Sequence, residues 1–207
     1  MMGSSAYWSV VPVSFESLRI DAEQIAACTK FLPPSPDTWW ILKAPRNPTE
    51  GPKTWTTPPE FTAAVLTGLG IRQFDLDPAS PEVPSVPCRR WFTVQDNGLV
   101  LGWDGDFVWC NPPYERLTPW VNKAINEHKA DRAKRIVMLI PNRPGTKYWR
   151  AIVESGAAIF ALDGRLHFGG APDPAPFACA LLIWGLDENE LMALGASLPP
   201  HFRMAFR

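Results

Sequence analysis

Three apolar runs in this chain end at proline. Phe74-Asp75-Leu76-Asp77 stops at Pro78, Asp106-Phe107-Val108-Trp109-Cys110 stops before Asn111-Pro112-Pro113, and residues 135–140 stop at Pro141. Proline fixes φ and has no N–H for a ladder, so each run reads as a strand with a forced exit. The 135–140 run (Arg-Ile-Val-Met-Leu-Ile) is continuously apolar after its first residue, as a strand covered on both faces would be. Pro accounts for 23 of 207 residues, and it clusters at such entries and exits rather than in a low-complexity tract.

Helical patterns alternate with these strands. Residues 58–69 read as a helix with Thr57 as N-cap, Pro58 in the first turn and Glu60 completing a capping box, ended by Gly68 and Gly70. Residues 90–94 read as a second strand, 120–130 as a helix, 147–155 as a short helix, and 158–162 and 178–184 as further strands. Alternating helices and buried strands argue for an α/β sandwich with a mostly parallel sheet. Residues 1–53 differ and form an N-terminal extension. It holds one helix pattern over 17–31, a stop at Pro33-Pro34-Ser35-Pro36, the run Trp39-Trp40-Ile41-Leu42, and a linker with Pro45, Pro48, Gly51 and Pro52. The second unit is 54–207.

Composition excludes several classes. With 46% apolar residues and a net charge of -1, the chain is neither wholly disordered nor uniformly basic. No apolar stretch approaches the length of a membrane span, and no secretion signal precedes the first helix, so a cytoplasmic protein is expected. Cys28, Cys88, Cys110 and Cys179 are widely spread and not spaced with a histidine as a zinc site requires. Reduced thiols and no metal are expected.

Asn111-Pro112-Pro113-Tyr114 is the most informative stretch. It follows a strand, which puts it at the sheet edge where open α/β folds bind ligands. An Asn side-chain oxygen and a proline carbonyl held side by side can accept both protons of an exocyclic amine. The nitrogen is then drawn toward sp³ character with its lone pair outward, and the ring of Tyr114 can stack on the heterocycle that carries it. Stacking needs only the ring, so Tyr114→Ala is expected to weaken turnover and Tyr114→Phe to be tolerated. The competing reading is a proline-stiffened strand exit with a buried Tyr.

Asn-Pro-Pro-Tyr after a strand resembles the catalytic motif of S-adenosylmethionine-dependent amino-methyltransferases. Its context is an ordered set: Trp55-Thr56-Thr57-Pro58-Pro59-Glu60-Phe61, then Phe74-Asp75-Leu76-Asp77-Pro78-Ala79-Ser80, Trp91-Phe92-Thr93, Asp96-Asn97-Gly98-Leu99, Trp103-Asp104-Gly105, the tetrapeptide, Leu139-Ile140-Pro141 and Gly164-Arg165-Leu166-His167-Phe168. Over residues 54–186 this set is similar to phage-type, Dam-like DNA N6-adenine methyltransferases. The resemblance implies a Rossmann-like class I methyltransferase sandwich, S-adenosyl-L-methionine as cofactor, and double-stranded DNA as partner with the target adenine flipped out. It also implies roles. Thr57 and Pro58 would contact the methionine end of the cofactor. Asp75 or Asp77 would be the cofactor-loop acid, Pro78 would open that loop, and Asp96 would bond the cofactor adenine. Asn111, Pro112, Pro113 and Tyr114 would hold the target base. The usual glycine-rich turn is replaced by Ala79-Ser80-Pro81, and no glycine follows until Gly98. The 77–111 span is too short for two strand–helix units, so the cofactor side of the sheet is expected to be abbreviated.

Turn or cap roles compete for Asp75, Asp77 and Asp96, and core roles for Trp91, Trp103, Trp109 and Trp184. Trp120 is placed either in the core or as a wall of the base pocket. Residues 123–167 carry 9 basic and 4 acidic groups, whereas 1–122 carry 9 and 13. Within the basic segment, Arg143, Lys147 and Arg165 are candidates for phosphate contact. The loop 169–177 and the extension are further candidates to touch DNA. Alternatives are an amino-methyltransferase for an RNA base or a protein glutamine, and a nucleic-acid-binding relative without catalysis.

Overall fold

The computed structural model describes residues 10–11, 56–169, 171 and 173–204. The elements are β1 (Val10–Val11), α1 (Pro59–Leu69), β2 (Phe74–Asp77), β3 (Cys88–Trp91), β4 (Gly105–Cys110), α2 (Leu117–Lys129), β5 (Ala133–Pro141), α3 (Lys147–Glu154), β6 (Ala158–Leu162), β7 (Cys179–Trp184), α4 (Glu188–Ser197) and β8 (His201–Met204). One sheet runs in the order β1-β8-β6-β7-β5-β4-β2-β3. β2 pairs in parallel with β3 and β4, and β4 with β5, while β7 and β8 run against the rest. Strands β1 to β6 thus share one direction, and the mixed sheet keeps a mostly parallel sense.

Strand periodicity splits the core in two. Ile136, Met138 and Ile140 of β5 face α2 and α3, together with Ala180, Leu182 and Trp184 of β7. Val137 and Leu139 face α1 and α4, together with Leu181 and Ile183. Helices cover both faces, which is why β5 reads as an unbroken apolar run. Leu139 is fully buried, so Leu139→Ala would cost about 2–5 kcal/mol.

The helix at residue 59 starts differently from the expected capping box. Its N-cap is Pro58, no side chain caps it, and Pro59 stands at its first position. Gly68 lies inside α1, not at its end, because a Cβ there would come within 2.7 Å of Leu194 Cα on α4. Gly70, at φ 65, closes the helix in the left-handed conformation. The expected strand over 90–94 is instead β3, two residues earlier. The Asp96 carboxylate takes the Thr93 N–H at 2.8 Å and turns the chain there.

The connections from β2 to β3 and from β3 to β4 contain no helix, and β3 is the last strand on that side. This is the expected abbreviation. Sequence periodicity missed three elements: β1, α4 and β8. The N-cap of α4, Asp187, accepts from Glu190 N–H in a full capping box. β1 pairs with β8 and so ties residues of the N-terminal extension to the main sheet. The helix expected over 17–31, the Trp39–Leu42 run, the 45–52 linker and Cys28 lie outside the described residues. Among the described residues Cys88, Cys110 and Cys179 are free thiols, and no helix is long and apolar enough to cross a membrane.

Candidate active site

Asn111 is the first residue past β4, at the carboxyl edge of the sheet. Pro112 is buried and Pro113 exposed, and one 3-10 turn, Tyr114–Arg116, leads into α2. That turn folds Tyr114 back over the strand end, where its hydroxyl donates to Asn111 Oδ1 at 2.8 Å. The other half of the amide, Nδ2, donates to Thr57 Oγ1 at 3.2 Å. Burial pushes the Tyr114 phenol well above its usual 10.0, so it remains a donor at any ordinary pH. Asn111 and Tyr114 are each half-buried, so the corner is reachable from solvent.

Three rings gather here. Tyr114 meets Phe177 edge-on at 5.5 Å and Phe168 at 6.1 Å. The Arg143 guanidinium lies over the Phe177 ring at 5.8 Å, linking a surface cation to the aromatic cluster. Thr57 is only 2% exposed and is held from outside. Its neighbour Thr56 bridges to Gly169, whose N–H donates to Thr56 O at 2.9 Å. A Cβ on Gly169 would stand 2.4 Å from Thr56 Oγ1, so glycine permits this close approach.

Asp77 ends β2 on the same edge and is 2% exposed. Burial pushes its carboxyl up to about 7, against the opposing effect of the Ala79 N–H at 3.1 Å and the neighbouring Ser80. Gly98, the first glycine after the turn at Pro78-Ala79, packs against it. A Cβ there would lie 2.0 Å from Pro78 O, so the 92–104 loop supplies the close approach that the turn itself lacks. Trp103 Nε1 donates to Gly98 O at 2.7 Å, and Trp103 N–H donates to Glu127 at 3.1 Å. The loop is thereby fixed to α2. Glu127 is held down at about 2 by its bond from Arg132 first and by Lys123 as well.

The structure separates the other predicted residues. Asp75 points along the same strand face but sits two residues back from the edge. Its carboxylate accepts the Asp106 and Phe107 N–H groups, both at 3.0 Å, and pairs with Arg89 at 3.5 Å. It staples the start of β4 and does not reach the site. Asp96 uses Oδ2 for both the Thr93 N–H and the Thr93 hydroxyl, so its observed role is in the turn. Trp120 is 8% exposed and its ring packs on Trp103 at 6.2 Å, which is a core position. Trp103, Trp109 and Trp184 are buried, whereas Trp91 is exposed.

The basic segment also divides. Lys123 and Arg132 pair with Glu127, Lys134 with Asp106, and Arg135 with Glu190. Arg143, Lys147 and Arg165 form no ion pair among the described residues, are exposed, and follow the ends of β5 and β6 on the Asn111 edge. From sequence, Phe168 and Gly98 were read only as members of the motif set, and Gly169 and Phe177 only as the ends of a loop that could touch DNA. The glycines carried no signal until their neighbours were known.

The carboxyl edge of this open α/β sheet thus holds a carboxamide, a buried acid, aromatic rings and cations that form no ion pair among the described residues. Residues 46–182 match the model of the DNA N-6-adenine-methyltransferase (Dam) family, and the chain belongs to that family. It is 31% identical over 113 residues to the DNA N-6-adenine-methyltransferase of Escherichia phage T1, covering 54% of this chain and 45% of that protein. It is 30% identical over 97 residues to the enzyme of the same name from Haemophilus phage HP1, covering 46% and 55%. The chain thus spans about half the length of these relatives. A solved structure provisionally named an RNA methyltransferase, from Pyrococcus horikoshii, is similar at TM-score 0.46 and 12% identity, covering 78% of this chain and 95% of that one.

Proposed function

We propose that the chain transfers a methyl group from S-adenosyl-L-methionine to the N6 amine of adenine in double-stranded DNA. The observation that carries this reading is the Asn111 amide at the end of β4, with Oδ1 turned toward the Tyr114 ring. Asn111 Oδ1 and the Pro112 carbonyl accept the two amine protons, Pro113 keeps the corner rigid, and Tyr114 lies against the base. In the structure the Tyr114 hydroxyl stands on the acceptor that the amine would use. The incoming base displaces it. A paired adenine hides its amine, so the base is flipped out of the duplex. Arg143, Lys147 and Arg165 meet the phosphates on either side.

The residues fit the cofactor. A buried carboxyl raised to about 7 is an environment that a cationic ligand would complete. The group supplies an electrophilic methyl on a positively charged sulfur. Asp77 and Pro78 hold it from one side, and the uncapped N–H groups at the start of α1, after Thr57 and Pro58, favour its carboxylate. Residues 54–207 form the methyltransferase domain and 1–53 the extension. A DNA substrate places the reaction in a cytoplasm, that of the bacterial host for a phage-encoded chain.

Purified protein is incubated with duplex DNA, single-stranded RNA and a glutamine-containing peptide, each with methyl-labelled S-adenosylmethionine. Label on DNA, lost in Asn111→Ala with cofactor binding retained, supports the reading. Label on RNA or peptide instead, or on none while the cofactor binds, refutes it.

A further inference from the structure

The register of the sheet brings three chain segments together beyond the strand ends. β5 and β7 run antiparallel with Pro141 opposite Cys179, and the Asn142 N–H donates to Ala178 O at 2.9 Å. The next cross-strand pair in that register is Arg143 and Phe177. Their side chains meet, with the guanidinium 5.8 Å from the ring centre. On its other side β5 runs parallel to β4, and past the end of β4 comes Tyr114, whose ring stands 5.5 Å from that of Phe177. Tyr114, Phe177 and Arg143 thus form a row that starts at the Asn111 corner and ends in a cation.

We propose that Arg143 grips the phosphate of the target nucleotide itself, so that one nucleotide is held at both ends, its base on Tyr114 and its phosphate on Arg143. The inference rests on the reading of Asn111 and Tyr114 as the pocket for the flipped base. It goes beyond a general attraction of cations to the DNA backbone, because it assigns one side chain to one phosphate.

The two ring spacings bound the distance from the Tyr114 ring to the guanidinium, and that bound lies within the reach of one nucleotide from a stacked base through its sugar to its phosphate. A guanidinium laid on a ring keeps its in-plane N–H groups for a second partner, and they fit two phosphate oxygens at once. Arg143 is exposed and forms no ion pair among the described residues, so no carboxylate there competes for those donors. Its backbone is fixed as well: its carbonyl accepts the Thr146 N–H at 3.2 Å and the Thr146 hydroxyl at 2.9 Å. The other exposed cations lie elsewhere. Lys147 opens α3, and Arg165 follows β6, which is two strands farther than β5 from β4. A phosphate reaches the row only when its own base sits in the pocket, since flipping swings the target nucleotide's backbone outward. Arg143 therefore favours the flipped state over the paired one.

The probe is a duplex of G·C pairs with a single adenine opposite an abasic site, compared with a fully paired G·C duplex. The adenine has no partner to leave, and its place is known without a recognition sequence. Affinities are read by fluorescence anisotropy with the demethylated cofactor present, so no turnover is needed. Wild type is expected to prefer the adenine duplex. Arg143→Gln is expected to weaken the adenine duplex about tenfold, while the paired duplex changes far less. The two phosphates bonded to the target nucleoside are then replaced in turn by a neutral methylphosphonate. One replacement should reproduce the loss, and Arg143→Gln should add nothing to it. Lys147→Gln should lose the same factor whether or not that phosphate is neutral. The inference is overturned if Arg143→Gln weakens both duplexes alike, if its loss persists undiminished at each neutral linkage, or if Lys147 rather than Arg143 couples to the target phosphate. A wild type with no preference for the adenine duplex overturns the base-pocket reading and this inference with it, so the wild-type comparison tells the two failures apart.

Discussion

Asp77→Asn separates the folding cost of the acid proposed to hold the cofactor from its use. In the folded chain Asp77 ionises at about 7, against an ordinary 3.8, because burial opposes its charge more than the Ala79 N–H favours it. An unfolded chain releases the proton first. Stability from this group is therefore full below pH 3.8, falls as pH rises toward about 7, and is level above that. Each pKa unit is worth about 1.4 kcal/mol, so the lost stability amounts to roughly 4 kcal/mol above neutrality. The neighbouring thiols do not interfere, since Cys88 is pushed up to about 12 and Cys110 well above 9.0. An Asn at 77 keeps an acceptor for Ala79 and carries no charge. Urea unfolding of both proteins without ligand, at pH 4 and pH 8, is the assay. Asp77→Asn should be far more stable than wild type at pH 8 and close to it at pH 4. Calorimetry in buffers of different ionisation heat should show wild type releasing a proton as the cationic cofactor binds near pH 6.5, and Asp77→Asn releasing none. Parallel stability profiles for the two proteins would refute the account of a destabilised buried acid.

Three further substitutions test other contacts. Tyr114→Phe removes the 2.8 Å bond to Asn111 that the incoming base is proposed to displace; turnover should stay near wild type, and a fall in kcat of about tenfold would show that the hydroxyl does more than the ring. Gly98→Ala drives a Cβ to 2.0 Å from Pro78 O, a backbone atom that cannot swing away. It should weaken cofactor binding and cost about 1–3 kcal/mol in urea unfolding, and unchanged values would show that the loop does not press on Pro78. Glu127→Gln leaves Lys123 and Arg132 facing a neutral amide and should cost about 3 kcal/mol at pH 7. Because Glu127 is held down at about 2 from 4.5, its contribution is present above 4.5 and lost as pH falls through 2. An equal cost at pH 2 would show that shape, not charge, matters there.

The strands that prolines stop were legible because the stop and the apolar run are both local. β2 and β5 end within a residue of the proline read as their exit, and β4 ends two residues before Pro112. The corner at Asn111 was legible for the same reason. Long-range pairing was not. Asp75 and Asp77 share a face and a spacing of two, and only the register of β2 beside β4 shows that one reaches backbone N–H groups while the other reaches the edge. Trp120 follows the motif closely in sequence, yet helical periodicity turns it onto Trp103. β8 alternates weakly and has an exposed Phe202, so its pattern is faint without β6 beside it. The capping box of α4 was present in sequence as Asp187 and Glu190, but its weak apolar contrast hid it.

The most direct measurement is mass spectrometry of nucleosides digested from duplex DNA after exposure to the protein and a labelled methyl donor. The proposed role of Asn111 predicts the label on N6-methyladenine and its disappearance with Asn111→Ala. Label on cytosine, on a ring nitrogen of adenine, or undiminished in Asn111→Ala would contradict an adenine amine held at this corner.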